Sequence, residues 1–412
     1  MKRRVNLVVI GGGAAGLSAA VTAKENGIDS VLILERNEEL GGILPQCIHT
    51  GFGLHYFNEN LTGPEYISRF VKKVYDLGIE YKLETMVLNL SPKKEILAVN
   101  QSEGLIKLQS DTAILAMGCR ERSSGALRIP GERPAGIFTA GTAQRLMDIE
   151  GCIPGRRVLI LGSGDIGLIM ARRFVMEGAE VKGVVEIMPY PGGLDRNLQL
   201  LRDFDIPLYL RYAATFIHGR DRLKAVTISK VDGNGKPVRG EDETIECDTL
   251  ILSVGLIPEN EISKKAGVKI DPKTGGPIVD ENMETSVENI FACGNSVHVH
   301  DLVDHVTKEG EIVGKNVAER IMGNLPKLRK RIYLKAEGNM RYVVPQIISG
   351  ERSLTLYSRV RRPAFDAEIR IGRNITVHKR VVKPPELIPI EFTAERLEDL
   401  EKEEEITIDM GE

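Results

Sequence analysis

The chain has 412 residues, enough for two or three domains, and its 42% hydrophobic and 27% charged residues are typical of a globular protein. The 55 Lys and Arg residues nearly balance the 58 Asp and Glu residues, so the net charge of −3 gives no general attraction to nucleic acid or to an anionic membrane. From this charge balance the sequence predicts no nucleic-acid partner. Its apolar runs are far shorter than a membrane-spanning helix, so it also predicts no transmembrane segment.

The N-terminus is basic at Met1–Arg4, but glycines soon interrupt the apolar run that follows, and no small-residue cleavage site precedes a mature domain. This start predicts a cytoplasmic protein without a targeting segment.

A glycine-rich turn follows the first predicted strand. Val5–Ile10 leads directly into Gly11–Gly16, which has the pattern GxGxxG, and a helix of small residues is predicted over Leu17–Lys24. The second strand, Val31–Leu34, ends at Glu35. In dinucleotide-binding proteins the glycines allow a tight turn, close approach of a pyrophosphate and close helix packing, while the acid accepts a hydrogen bond from the ribose. GxGxxG alone would also suit a structural turn, but strand, motif, helix, strand and acid together predict a dinucleotide site.

The same unit recurs in the middle of the chain. Arg157–Leu161 leads into Gly162–Gly167, a helix follows through Phe174, and the next strand ends at Glu186. Glu186 lies 24 residues after the first glycine of its motif, the same spacing that separates Glu35 from the first glycine of the earlier one. The repeat predicts a second dinucleotide site.

Each of these units closes with a similar strand. Ser110–Gly118 is echoed by Cys247–Gly255, and each is preceded by alternating residues with turn signals such as Asp232–Gly235. This pattern predicts a β-meander inserted in each parallel sheet.

The cysteines and histidines show no metal-binding spacing. The five cysteines are widely separated without a CxxC pair, which argues against a disulfide scaffold and against a Cys-based zinc or iron–sulfur site. The seven histidines form no HExxH motif, although His298 and His300 alternate near His305. The sequence therefore predicts no structural metal.

With these motifs in order, residues 5–322 resemble the pyridine nucleotide–disulfide oxidoreductase superfamily of flavoproteins. Gly118 and Gly255 match the glycines that end the family's two ATG-like strands. Ile290–Asn295 matches the later FAD motif, in which Asn295 replaces the usual acidic residue that bonds the ribityl chain. An amide still makes one such bond. The resemblance implies an α/β fold with two Rossmann-like domains, FAD at the first glycine motif and NAD(P) at the second.

The predicted cofactor contacts follow from the motifs and from this resemblance. For FAD they are Gly11, Gly13, Ala14, Ala15, Gly16, Glu35, Arg36, Gly42, Ile43, Val87, Ala116, Gly118, Gly294, Asn295 and Val306. For NAD they are Gly162, Gly164, Asp165, Ile166, Gly167, Glu186 and Gly255.

Glu186 also indicates which nicotinamide cofactor binds. A carboxylate at this strand end favours the ribose diol of NAD and repels the 2′-phosphate of NADP, and no basic cluster follows in Ile187–Pro189. We expect NAD, with a merely structural glutamate as the alternative.

The resemblance also implies a domain arrangement. The FAD-binding domain is expected over residues 1–120 and 247–325, with the NAD-binding domain inserted at 121–246. A helix predicted over Val303–Met322 would point its N-terminus at the flavin, and Asp301 and Asp304 suit helix caps. His300 and His305 are expected to be solvated or packing residues, or else flavin contacts.

Disulfide reductases of this superfamily use two cysteines that exchange electrons with the flavin. Counting without gaps from Gly42 places these positions on Leu44 and His49, so the disulfide relay is absent. Cys47 is either a buried cysteine or a redox thiol whose pKa must be lowered. His49 is either a neighbour of the flavin ring or a proton carrier. Cys47 and His49 are the candidate catalytic residues.

Two further segments resemble flavoprotein subunits of larger dehydrogenases. Gly118–Arg122 and Arg133–Gln144 are similar to segments in the flavoprotein subunits of sarcosine, opine and hydroxyproline dehydrogenases. With Gly41–Leu54 included, the chain most resembles flavoproteins that accompany an FAD-dependent glycerol-3-phosphate dehydrogenase and a small Cys-rich protein. This implies a hetero-oligomer that passes electrons between NAD(H) and a partner flavin.

Three other functions stay open at this point. The chain could be a stand-alone NADH oxidase or peroxide-reducing enzyme that uses Cys47. It could be a subunit of an amine or opine dehydrogenase. It could also be a scaffold or redox sensor in which FAD is structural.

The last part of the chain has a different pattern. Pro326–Arg331 is a basic linker, and the alternating residues beyond it predict a small β-sandwich or barrel over 326–412, with a helix over Glu395–Glu405. This region has no signature of catalysis, so we expect a docking domain, with self-association as the alternative. A truncation after residue 325 is then expected to keep FAD binding and reduction by NADH.

Overall fold

The computed structural model describes residues 3–373, 375–393 and 403–411. The chain divides into two compact units, one formed by Met1–Cys119 and Pro258–Glu412 and the other by Arg120–Ile257. Each unit contains a sheet with parallel strands and flanking helices, so the predicted α/β class is confirmed. Among the described helices, none has the length and apolar character needed to span a membrane.

The N-terminal part of the first unit alternates strands and helices. Its elements are β1 (Arg3–Ile10), α1 (Ala14–Glu25), β2 (Val31–Leu34), β3 (Thr50–Phe52), β4 (Leu61–Thr62), α2 (Gly63–Asp76), β5 (Glu80–Lys82), β6 (Met86–Leu90), β7 (Glu95–Asn100) and β8 (Gly104–Leu115). The sheet has the order β5-β2-β1-β8-β7-β6, in which the first four strands are parallel and the last two form the predicted meander. The last four residues of β1, Leu7–Ile10, and all of β2 are apolar and buried, as expected for a parallel sheet that is covered on both faces.

The strand register brings the predicted FAD motif together. Ile10 lies opposite both Leu34 and Leu115, so three strands end at the same edge of the sheet. Gly11 and Glu35 follow directly at this edge, which is where parallel sheets bind ligands.

The second unit repeats the arrangement. The elements from Cys119 to Pro258 are β9 (Cys119–Glu121), α3 (Ser124–Leu127), β10 (Ile137–Thr139), α4 (Ala140–Asp148), β11 (Arg157–Leu161), α5 (Asp165–Met176), β12 (Glu180–Glu186), α6 (Asp195–Asp203), β13 (Leu208–Leu210), β14 (Tyr212–His218), β15 (Ala225–Val231), β16 (Pro237–Glu246), β17 (Thr249–Leu252) and β18 (Leu256–Pro258). A parallel sheet has the order β10-β17-β11-β12-β13, and β14, β15 and β16 form a separate antiparallel meander. Leu161 lies opposite both Val185 and Leu252, so the second glycine motif also begins at a shared strand edge.

The chain then returns to the first unit with α7 (Glu261–Lys265), β19 (Ile290–Ala292) and α8 (Val303–Ile321). β19 extends the first sheet beside β8. α8 packs closely on α1 because two of its residues are glycines. A Cβ on Gly310 would lie 2.5 Å from the carbonyl oxygen of Ala15, and one on Gly314 would lie 2.4 Å from that of Ala19.

The C-terminal region consists of β20 (Ile332–Gly338), β21 (Met340–Val344), β22 (Ile347–Ile348), β23 (Leu354–Val360), β24 (Ala364–Ile371), β25 (Ile375–Val382), β26 (Ile388–Phe392) and β27 (Glu405–Met410). Two sheets, β22-β20-β27-β24-β25 and β21-β23-β26, share one apolar core, as expected for a small β-sandwich. Most of the helix predicted over Glu395–Glu405 falls on 394–402, outside the described residues, and Glu405 itself begins β27.

This β-rich region also packs on the rest of the first unit. Tyr342 and Val344 are buried in the same core as the N-terminal sheet. The side-chain oxygen of Gln346 accepts a hydrogen bond from the backbone N–H of Val279 at 3.0 Å. These contacts change the expectation that the region is dispensable for FAD binding.

Candidate functional site

The first glycine loop leaves no room for side chains at its turning points. Gly11 has φ +107°, and a Cβ there would lie 2.3 Å from the carbonyl oxygen of Ala116. A Cβ on Gly16 would lie 1.9 Å from the carbonyl oxygen of Gly11. The turn and the approach of α1 to the strand therefore both require glycine, as the motif predicts.

Glu35 faces this loop from the end of β2. Its side chain is buried, and its two oxygens accept hydrogen bonds from the backbone N–H groups of Gly12 at 2.7 Å and Asn37 at 2.9 Å. An ionised carboxylate has about four acceptor positions, so two remain for a ribose diol.

The backbone around this edge forms an open cradle. Gly13 precedes α1 without a capping side chain, so the first N–H groups of the helix have no capping partner among the described side chains. Opposite it lies Gly42, where a Cβ would meet the Cα of Gly13 at 3.0 Å. A Cβ on Gly294 would meet Ala15 at 2.8 Å and Val306 at 3.3 Å. These residues fit a dinucleotide because an uncapped helix N-terminus and bare backbone suit a pyrophosphate.

The other predicted FAD residues differ in burial. Val87 is buried in β6 and Ala116 is buried just after β8, whereas Arg36 is exposed and Ile43 is 59% exposed. Gly118 has φ +70° just beyond the end of β8. Ala14 is buried in the first turn of α1. Contact of each with FAD stays a prediction.

Asn295 has protein partners at both ends of its amide. Its Oδ1 accepts a hydrogen bond from the backbone N–H of His300 at 2.9 Å and lies 3.2 Å from His300 Nδ1. Its Nδ2 lies 3.6 Å from the Sγ of Cys119. If Asn295 also bonds the ribityl chain, the same amide group must keep its hydrogen bonds to His300.

A buried group of ionisable side chains adjoins Asn295. Glu309 Oε1 accepts the backbone N–H of Gly294 at 2.7 Å, and Oε2 lies 3.3 Å from His298 Nε2 and 3.1 Å from His300 Nε2. Burial lowers the pKa of His298 to about 4. Burial alone would raise the pKa of Glu309, but the neighbouring His300 and His298 outweigh it and lower the pKa to about 2. The side chain of His300 is also buried, so the expectation that this residue is solvated is wrong.

Asp304 does not cap α8, and the prediction that it does is wrong. The helix begins after Leu302 without a capping side chain. Asp304 instead accepts hydrogen bonds from the backbone N–H groups of Gly53 at 3.3 Å, His55 at 3.2 Å and Tyr56 at 2.8 Å. It fixes the loop after β3 to the start of α8. Asp301 accepts the backbone N–H of Leu387 at 3.1 Å, so it is not a cap either.

The two candidate catalytic residues lie on the segment before β3. Cys47 is 5% exposed, and its Sγ lies 3.4 Å from the carbonyl oxygen of Ile43. His49 Nδ1 lies 3.1 Å from the carbonyl oxygen of Thr50, and its ring is 5.0 Å from that of Phe52. Their roles in catalysis stay predictions.

The second glycine loop reproduces the geometry of the first. Gly162 has φ +95°, and a Cβ there would lie 2.1 Å from the carbonyl oxygen of Ser253. A Cβ on Gly167 would lie 2.8 Å from the carbonyl oxygen of Gly162. Gly164 precedes α5 without a capping side chain, and Ile166 is half-buried in the first turn. The loop therefore fits a second pyrophosphate.

Glu186 occupies the position in this unit that Glu35 has in the first. It is buried and accepts hydrogen bonds from the backbone N–H of Ser163 at 3.0 Å, its hydroxyl at 2.6 Å and the N–H of Met188 at 2.9 Å. Each unit thus has its own buried carboxylate, which accepts hydrogen bonds from the second residue of the glycine loop and from the residue two positions after itself.

Two serines that the sequence motifs did not single out complete this loop. Ser163 Oγ accepts the backbone N–H of Gly192 at 2.7 Å, and Ser253 Oγ accepts that of Gly167 at 3.0 Å. Asp165, a predicted NAD contact, accepts from the backbone of Leu194 at 2.9 Å and so holds the loop before α6. Gly255 has φ +96° with open space where a Cβ would be.

Several known proteins are similar to this chain in sequence. It is 25% identical over 318 residues to hydrogen cyanide synthase subunit HcnB of Pseudomonas protegens, covering 72% of this chain and 65% of that protein. It is 27% identical to the NAD(P)H sulfur oxidoreductase (CoA-dependent) of Pyrococcus abyssi, covering 77% and 70%. Identity to an opine oxidase subunit of Agrobacterium tumefaciens is 23%, covering 71% and 61%. The match spans less than two thirds of the length of the HcnB and opine oxidase proteins.

The thioredoxin reductase of T. acidophilum shares the fold, with a TM-score of 0.64 and 23% identity over 78% of this chain and 100% of that one. The model of the family described as pyridine nucleotide-disulphide oxidoreductase matches residues 5–310. Both predicted cofactors and the predicted enzyme class agree with this match. The chain therefore belongs to the pyridine nucleotide-disulphide oxidoreductase family and is an FAD- and NAD(P)H-dependent oxidoreductase.

Proposed function

We propose that the chain is a flavoprotein subunit that passes electrons between NAD(H) and the flavin of a partner dehydrogenase. The observation that carries this proposal is the side chain at the first relay position of the disulfide enzymes, which here is Leu44, apolar and 4% exposed. A flavoprotein without its own dithiol must deliver electrons to an acceptor other than a bound disulfide. Bound FAD would supply hydride and electron transfer, while this chain's glycine loops and acids hold and orient the two cofactors.

A hetero-oligomer is supported by the names of two relatives. HcnB and the opine oxidase protein are both named as subunits of their enzymes. The more specific partners, an FAD-dependent glycerol-3-phosphate dehydrogenase and a small Cys-rich protein, rest on the resemblance of Gly41–Leu54 alone. The docking role of residues 326–412 and the cytoplasmic location likewise stay predictions.

Purification of the untagged chain from its native cells tests this proposal. We expect a second flavoprotein to co-purify in a constant ratio, and NADH to reduce the bound flavin of the complex without oxygen. A chain that purifies alone and turns over NADH fully with oxygen or peroxide would contradict the proposal.

Removing the charge of Glu186 is expected to relax cofactor selectivity. In the wild-type protein the carboxylate should favour NADH over NADPH by about 1 to 3 kcal/mol, or roughly 5- to 150-fold in reduction rate. Glu186→Gln keeps an acceptor oxygen for Ser163 but loses the repulsion, so most of this preference should disappear. Stopped-flow reduction with each cofactor measures it.

Glu180→Gln is the matched control, because Glu180 begins the same strand with its side chain 61% exposed. Equal selectivity in wild type and Glu186→Gln would show that Glu186 is a structural residue only.

Cys47→Ser separates the proposal from the peroxide-reducing alternative. Flavin reduction by NADH and transfer to the partner should remain within about twofold of wild type, because hydride transfer needs stacking and distance rather than a thiol. Turnover is measured with the partner and with hydrogen peroxide, and Cys152→Ser, at an exposed cysteine, is the control. Loss of turnover confined to Cys47→Ser would favour a redox thiol.

A further inference from the structure

Two histidines and a glutamate converge inside the first unit, beside the predicted FAD motif. His298 and His300 lie on the segment between β19 and α8, and Glu309 lies on α8. Their side chains are 1%, 0% and 2% exposed. One possible ligand atom from each residue lies within 4.8 Å of the other two. Such a group is costly to bury unless its charges and lone pairs are satisfied.

The hydrogen bonds around His300 indicate which ring nitrogen carries the proton in its neutral tautomer. The backbone N–H of His300 donates to Asn295 Oδ1 at 2.9 Å, which identifies that atom as the oxygen. His300 Nδ1 lies 3.2 Å from the same oxygen, so this nitrogen carries a proton. In a neutral imidazole the other nitrogen, Nε2, then has a lone pair.

That lone pair points at another acceptor. His300 Nε2 lies 3.1 Å from Glu309 Oε2, and His298 Nε2 lies 3.3 Å from the same oxygen. Two acceptors at this distance in a buried site need a cation between them. A proton on His300 Nε2 would bridge both gaps if neutral His298 also donates from its Nε2, whereas a metal ion would bond all three atoms directly.

The distances suit a metal ion. Bonds of about 2.0–2.1 Å in tetrahedral geometry place neighbouring ligand atoms about 3.3 Å apart. Two of the three separations, 3.3 Å from His298 Nε2 and 3.1 Å from His300 Nε2 to Glu309 Oε2, agree with this spacing, and all three are within 4.8 Å. Two of the three outer atoms are also oriented as in metal sites, because His300 Nδ1 faces Asn295 and Glu309 Oε1 accepts the N–H of Gly294 at 2.7 Å, whereas His298 Nδ1 has no hydrogen-bond partner among the described residues.

We propose that His298, His300 and Glu309 bind one divalent first-row transition metal ion. Two imidazoles and one carboxylate suit Zn²⁺ or Fe²⁺ and leave at least one coordination position open. The ion would join the loop after the FAD motif to α8, beneath Tyr342 and Tyr357, whose rings lie 5.8 and 5.7 Å from that of His298. A metal ion here would overturn the expectation of no structural metal. The sequence does not reveal such a site because the three ligands have no recognised spacing along the chain.

Metal and FAD content of the untagged full-length protein tests this proposal. Because the ligands are buried, the metal is supplied during folding, by expression in minimal medium with ZnSO4 or, separately, CoCl2. We expect about one ion per chain by mass spectrometry, together with full FAD content. His298→Gln and Glu309→Gln should each lower the metal content at least tenfold. His378→Gln, at an exposed histidine of β25, is the matched control and should keep the ion.

Two results would overturn the proposal. Wild-type protein with full FAD and less than about a tenth of an ion per chain would show that the cluster is a hydrogen-bonded imidazolium–carboxylate group. Equal loss of metal in His378→Gln and the cluster variants would place the ion elsewhere. The wild-type measurement decides the question even where a cluster variant does not fold.

Discussion

Gly310→Ala is expected to destabilise the first unit and to lower its FAD content, although alanine is the better helix former. A Cβ at this position would lie 2.1 Å from Ser18 Oγ and 2.5 Å from the carbonyl oxygen of Ala15. Ser18 could rotate away, but the carbonyl is fixed in the first turn of α1. To make room, α8 or α1 must move, and α1 carries the glycine loop at its N-terminus.

The two effects of this substitution have opposite signs, and their sizes decide the outcome. Overpacking costs about 1–3 kcal/mol, and the helix propensity of alanine over glycine returns about 1 kcal/mol. Because the added Cβ would meet a backbone oxygen, which cannot rotate away, we expect the overpacking cost to be about 3 kcal/mol or more. The net loss in the free energy of unfolding is then about 2 kcal/mol. This corresponds to a fall of roughly 4–8 °C in melting temperature.

Thermal unfolding followed by flavin fluorescence and FAD content per chain by absorbance check this prediction. Gly233→Ala is the matched control, because Gly233 lies in a turn with no atom within 4 Å of an added Cβ. Its effect should stay within about 0.5 kcal/mol. A Gly310→Ala protein as stable as this control, with full FAD, would show that α1 and α8 adjust without cost.

The parts of the site that the sequence predicts are those built from neighbours along the chain. Gly11 must be glycine because of its own φ and a strand that ends beside it, and Glu35 reaches Gly12 because a strand, helix and strand of standard length return it to the loop. Glu186 and Ser163 repeat this geometry at the same spacing. Local pattern and strand register together are enough for such contacts.

Contacts between distant segments could not be read in this way. Asp304 has the residue type and position of a helix cap, yet its partners are N–H groups about 250 residues earlier in the chain. Glu309 looks like one more charged residue on an amphipathic helix. Only the fold shows that it faces two histidines and the backbone of Gly294. In both cases the deciding partner comes from tertiary packing, which leaves no periodic signal.

The C-terminal region is the largest case in which packing changes an expectation. Its strands have no catalytic motif, which led to the prediction that a chain ending after residue 325 would still bind FAD. In the structure the backbone N–H of Ser349 donates to Glu281 at 2.6 Å, and the guanidinium of Arg352 donates to Asn282 at 3.1 Å, so this region is bonded to the segment before β19. Arg359 lies 3.7 Å from Asp301 in the segment before α8.

Removal of residues 326–412 is therefore expected to yield protein that aggregates or lacks FAD. The deletion takes Tyr342 and Val344 out of the core that the N-terminal sheet also occupies, and it exposes apolar side chains such as Val279. A large newly exposed apolar patch favours aggregation. Solubility, FAD content and unfolding temperature of the truncated chain measure the effect.

A point variant of the full-length chain keeps this prediction testable even if the truncated protein is insoluble. Tyr342 is 5% exposed, so Tyr342→Ala should cost about 3–5 kcal/mol and weaken FAD retention, as expected for a large aromatic residue removed from a core. Phe365, 77% exposed on β24 of the same region, is the matched control, and Phe365→Ala should change stability by no more than about 0.5 kcal/mol. A soluble truncated chain with full FAD, or a Tyr342→Ala variant as stable as Phe365→Ala, would mean that the region is not needed for the flavin site. Its role would then have to be sought at its surface, where loss of the partner complex in the truncated chain is the measurement that identifies a docking domain.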